Sequence, residues 1–108
     1  MKLTEKEMEI MAVLWSKKSS MTAAEIIEAS NNRTWKENSI YIILNSLIKK
    51  GAVILTRDKP TMTNYAKTYT PIITSEEYTI AYIRNMKKTG IEIDIPALIE
   101  RLMNAEEG

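Results

Sequence analysis

The side chains with the most chemistry to offer gather in the middle third of the chain. Between positions 33 and 67 stand Arg33, Lys36, Lys49, Lys50, Arg57, Lys59 and Lys67, opposed only by Glu37 and Asp58. The flanks lean the other way, with four basic and five acidic residues over 1–32 and four against seven over 68–108. A net formal charge of +1 conceals this segregation. A cationic band between acidic ends is the footprint of a surface that meets phosphate, not of a uniformly solvated one. Interleaved with the cations are Asn38, Ser39, Tyr41, Ile42 and Asn45. Amides can donate to and accept from adenine edges, and a serine hydroxyl suits either a base or a phosphate. An isoleucine fits a thymine methyl, and a tyrosine can stack or reach the backbone. The plainer alternative is a solvated helix face. A neighbouring tyrosine and isoleucine turned to water argue against it.

Other chemistries fall away by composition. The 108 residues include neither Cys nor His, which removes disulfides, thiolate or imidazole metal sites, and Ser-His or Cys-His catalysis. Carboxylate pairs such as Glu5 with Glu9 and Glu76 with Glu77 sit at helix starts, where they complement the helix dipole. No enzyme, cofactor or metal is expected. Met1-Lys2-Leu3-Thr4-Glu5 opens into a charged helical segment and does not resemble a secretory leader. No apolar run approaches the roughly 18 residues of a membrane span. The expected location is the cytoplasm.

The elements that must position the reactive band follow from spacing. Thr4-Glu5-Lys6-Glu7 has the form of a capping box, and Met8, Met11, Ala12 and Trp15 recur as a helical stripe, predicting a helix over about 5–17. Thr22-Ala23-Ala24-Glu25 repeats the device for a helix over about 23–30. Thr34-Trp35-Lys36-Glu37 offers a third box, with a start nearer Asn38 as the alternative. Ile40, Ile43, Leu44, Leu47 and Ile48 carry that helix over about 37–50, and Lys49-Lys50-Gly51 closes it. Ala52–Thr56 reads as a strand, Arg57–Thr61 as a turn and Tyr65–Thr70 as a returning strand. The order helix, helix, helix, hairpin is that of a winged helix, with Asn38, Ser39, Tyr41, Ile42 and Asn45 on the outer face of its reading helix. Arg33, Lys36, Ser46, Lys49, Lys50, Arg57, Lys59 and Lys67 are the candidates for phosphate or wing contacts. For the hairpin cations, protection of an exposed sheet edge is the plainer alternative.

Beyond Pro71 the pattern changes. Thr74-Ser75-Glu76-Glu77 caps a fourth helix running to about Lys88, and Asp94 and Pro96 start a fifth. Tyr78, Tyr82, Ile83 and Met86 on the one, with Ile95, Leu98, Ile99 and Leu102 on the other, are more apolar surface than two short helices bury alone. The expectation is a mainly α fold with a small β-hairpin wing, a DNA-binding domain over 1–72 and a helical dimerisation region over 73–108. Two copies would engage two half-sites of double-stranded DNA. A winged-helix module that binds protein is the second reading, and Tyr41 and Ile42 are its support.

The ordered set Leu3-Thr4-Glu5-Lys6-Glu7-Met8-Glu9-Ile10-Met11, Leu14-Trp15, Thr22–Ile27, Thr34-Trp35, Asn38-Ser39-Ile40, Leu44–Gly51 and Tyr69–Tyr78 resembles the penicillinase-repressor family of winged-helix regulators, the BlaI/MecI/CopY group. The resemblance implies a homodimeric repressor on a palindromic operator, with Ser39, Tyr41 and Ile42 in the base-reading segment. The sequence departs from the family pattern in three places. Tyr41 stands where a basic residue is usual, and Ile42 stands where a small hydroxyl residue is usual. The cysteine pairs of copper-responsive members are missing. Ile99-Glu100-Arg101-Leu102-Met103-Asn104 lacks the Asn-Phe site at which β-lactam-responsive members are cut.

Overall fold

The computed structural model describes residues 1–60 and 65–107, with backbone alone at 58–60, 65, 106 and 107. Capping chemistry sets where three of its helices begin. For α1 (Glu5–Lys17), the Thr4 hydroxyl accepts the Glu7 amide at 3.2 Å and the Glu7 carboxylate accepts the Thr4 amide at 2.7 Å. Thr22 with Glu25 starts α2 (Ala23–Ala29) in the same reciprocal way. Each box satisfies two amides that a helix start otherwise leaves without partners, stabilising it by about 1 kcal/mol.

The third box does not form. A single 3₁₀ turn, Glu37–Ser39, precedes α3 (Ile40–Lys49), and neither start carries a side-chain cap. A box at Thr34 would put Trp35 on the first helical turn. Trp35 is instead drawn into the core, Lys36 stays extended, and the helix begins after it. At the other end the chain leaves α3 through Gly51, whose φ of +79° is the left-handed value that glycine adopts without strain.

Strand β1 (Val53–Pro60) runs antiparallel to β2 (Tyr65–Pro71), with Val53 opposite Pro71 and Thr56 opposite Thr68. The turn expected from Arg57 onward is displaced, because β1 continues to Pro60. A register shift between Thr56 and Lys59 takes up one extra residue and lets pairing resume. Met21 forms a further antiparallel bridge to Tyr69, with amide–carbonyl bonds of 2.8 and 3.1 Å. The hairpin is thereby tied by backbone to the segment between α1 and α2.

The core lies between the three helices and the root of the hairpin. Ile10, Met11 and Leu14 of α1, Ile26 of α2, Ile40, Leu44 and Leu47 of α3, and Val53 are all sealed from solvent, with Trp35 and Tyr69 at its margins. The buried stripe of α1 is offset from the expected one. Met8 and Ala12 face outward, and the inward line is Leu3, Glu7, Ile10, Met11 and Leu14.

The last two helices are different. Thr74 and Glu77 box the start of α4 (Ser75–Lys88), and the Asp94 carboxylate accepts the Ala97 amide at 3.1 Å at the start of α5 (Ile95–Glu107). None of the α4 residues is buried. None of the described α5 side chains is fully buried either. The radius of gyration is 16.5 Å, against about 13 Å for a compact chain of this length. Among the described residues, no helix is long and apolar enough to cross a membrane.

Candidate nucleic-acid interface

The buried apolar residues of α3 fall at helical spacing along one side. Ile40, Ile43, Leu44 and Leu47 pack inward, and the opposite face is left to water. On that face Ile42 is 74% exposed and Tyr41 56% exposed, with Asn38 and Asn45 exposed beside them and Ser39 half-buried. Asn38, Ile42 and Asn45 are four and three residues apart, so they form one line along the helix. An apolar tip between two amides can make base-edge contacts of two kinds, hydrogen bonds to adenine and contact with a thymine methyl.

The wing continues this face. Tyr41 lines a shallow groove of about 360 Å³ with Thr22, Ala23, Ala24, Ala66, Lys67 and Tyr69, so the reading helix, the start of α2 and β2 share one surface. Burial, and then the neighbouring Tyr41 phenol, raise the Tyr69 hydroxyl above its usual range. Arg57 and Lys67 are exposed on the two strands, and Lys36 and Lys49 flank the reading helix. The side chain of Lys59 lies outside the described residues.

Three of the candidate phosphate contacts are occupied within the chain. Lys50 donates to Glu7 at 2.6 Å and to the Lys2 carbonyl at 2.8 Å. Ser46 donates to the other Glu7 oxygen at 2.6 Å. Arg33 lies 5.3 Å over the Trp35 ring and reaches the Ile27 and Ser30 carbonyls at the end of α2. Polarity alone turns all three outward, yet each also has a partner inside the chain. Burial opposes the charge of Glu7, but hydrogen bonds from Lys50, Ser46 and the Thr4 amide outweigh it and lower its pKa to about 2. The sequence held one signal for this network. Glu7 falls on the inward stripe between Leu3 and Ile10, where an unpaired carboxylate would be costly.

Tyr78 is also spent inside the chain. Its hydroxyl accepts the Leu3 amide at 3.2 Å and its ring lies 6.4 Å from Trp15, whose indole donates to the Ile73 carbonyl at 2.9 Å. It joins the tail to α1. The other tail candidates stay open. Tyr82, Ile99 and Leu102 are exposed, while Ile83, Met86, Ile95 and Leu98 are half-buried.

Comparison with known proteins agrees with this arrangement. A penicillinase repressor of Bacillus licheniformis is 39% identical over 51 residues, a match spanning 47% of this chain and 40% of that protein. The solution structure of monomeric Bacillus licheniformis BlaI in complex with the blaP half-operator superimposes with a TM-score of 0.57. It is 28% identical, and the match covers 87% of this chain and 94% of that one. The family model for penicillinase repressors matches residues 3–107. The chain belongs to the penicillinase repressor family, a family of transcriptional regulators and not of enzymes.

Proposed function

We propose that this chain is a sequence-specific transcriptional repressor that binds a palindromic DNA operator as a homodimer. The observation that carries the reading is the line Asn38, Ile42 and Asn45, exposed on the second helix of a helix-turn-helix and flanked by Tyr41 and the wing. Residues 1–72 form the DNA-binding part. The reading helix enters the major groove, Asn38, Ser39, Tyr41, Ile42 and Asn45 meet base edges, and Lys36, Lys49, Arg57 and Lys67 meet phosphates. Residues 73–108 pair two copies through Tyr82, Ile83, Met86, Ile95, Leu98, Ile99 and Leu102. A two-fold dimer presents two identical helices, so its operator is palindromic. The structural neighbour, a BlaI chain bound to a half-operator, supports the DNA part of this reading.

Selection from a randomised duplex pool, followed by anisotropy titrations at several salt concentrations, tests it. Binding of the enriched duplex weakens with salt, with a log–log slope of about 0.9 per phosphate contacted, and Lys67→Ala lowers that slope by about 0.9. Ile42→Ala changes which duplexes are enriched. Equal binding to all duplexes, or a flat salt response, overturns the reading. A monomer by sedimentation at micromolar concentration overturns its dimer part.

A further inference from the structure

The start of the reading helix is locally unsupported. The 3₁₀ turn Glu37–Ser39 and the first turn of α3 both lack a side-chain cap, and Glu37 is drawn sideways to within 4.0 Å of Arg33. Asn38 and Ser39 sit on this turn. The Trp35 indole N–H is buried without a hydrogen-bond partner, so apolar packing and Arg33 over the ring are what seat it. Neither contact fixes how the chain leaves Trp35 to begin the helix.

A contact from α1 instead fixes the residue just before Trp35. Both oxygens of Glu9 engage Thr34, one accepting the backbone amide at 2.9 Å and the other the hydroxyl at 2.5 Å. Those are the two Thr34 groups that the missing capping box would have organised. Glu7, two residues earlier and so on the other side of α1, holds Ser46 and Lys50 at the far end of the same helix. Two of the three carboxylates of α1 thus hold the segment just before the reading helix and the helix's C-terminal end. We propose that Glu9 is a positioning residue for DNA reading: by holding Thr34 on the approach to the reading helix, it sets the angle at which Asn38 and Ser39 reach the groove. This rests on the function proposed above. The Thr34 hydrogen bonds also hold the Glu9 carboxyl below the usual carboxylate range, so the clamp is charged and formed at neutral pH.

A positioning role and a merely structural one separate by specificity. Affinity is measured for a duplex enriched by the wild-type protein and for a shuffled duplex of the same composition, at one salt concentration. Glu9→Ala and Thr34→Val lower the ratio of the two by about three- to tenfold, the loss expected for one or two hydrogen bonds, and leave the shuffled duplex unaffected beyond the charge effect. Glu5→Ala, which removes an exposed charge from the same helix, reports that charge effect and leaves the ratio at the wild-type value. Thr34→Ser keeps the hydroxyl and retains the ratio. If Glu9→Ala does not fold, Thr34→Val and Thr34→Ser carry the test. A Glu9→Ala ratio equal to that of Glu5→Ala, or an equal loss on both duplexes, overturns the proposal and leaves the DNA function standing. A wild-type protein that enriches no duplex overturns both.

Discussion

The stripes Ile40-Ile43-Leu44-Leu47 in α3 and Ile95-Leu98-Ile99-Leu102 in α5 are nearly the same pattern in two different situations. In α3 each of the four residues is buried by elements of its own chain. In α5 Ile99 and Leu102 are more than half exposed. Periodicity declares that a face will be covered and is silent on what covers it. The winged-helix body finds its cover within the chain, whereas the tail leaves Ile99 and Leu102 turned outward, the face to which the proposed dimer is assigned.

That contrast can be broken most forcefully from inside the body. Leu44 is wholly buried, so Leu44→Ala should cost about 2–5 kcal/mol in a urea titration, while α5 substitutions leave the dilute protein's midpoint in place. Equal costs in both regions would mean that the tail has a core of its own. Next in size is the acid behaviour of Glu7. Its folded pKa of about 2 lies below the ordinary 4.5, so its stabilisation is complete above about pH 4.5 and is lost as pH falls through 2. The span corresponds to about 3 kcal/mol as an upper figure. Glu7→Gln should flatten the fall of the urea midpoint over that window. An unchanged slope would show that the fold does not hold the carboxyl below its ordinary range. The smallest effect belongs to the tail. Leu102→Ala should weaken self-association roughly tenfold or more by sedimentation, as expected for losing most of one buried leucine, without altering the body's circular dichroism.

Much of the fold was legible because its rules are local. Capping boxes at Thr4, Thr22 and Thr74, the closing Gly51 and the stripe of α3 all act within a few residues, and the helices begin where they indicate. What misled was non-local. Thr34 and Glu37 have the right spacing for a box, but Trp35 between them is claimed by the core and Glu9, 25 residues away, takes Thr34. Ser46 and Lys50 look like phosphate ligands until a carboxylate 39 and 43 residues distant is brought beneath them. Tyr78 sits on the expected tail face, yet a backbone amide 75 residues back turns it inward. In each case a polar side chain answers a partner that only the tertiary structure brings near.

The line Asn38, Ile42 and Asn45 has a consequence for how such a regulator can change over time. Side chains without intramolecular partners usually cost less than about 0.5 kcal/mol to replace. The face proposed to choose the DNA sequence is therefore separate from the residues that keep the chain folded. On the proposed reading, a lineage can redirect the protein to a new target by substitution at Ile42 or Asn45 while the grip of Glu7 and Glu9 stays as it is. Retargeting of this kind needs no compensating change in the core, and Ile42 is where it has the freest hand.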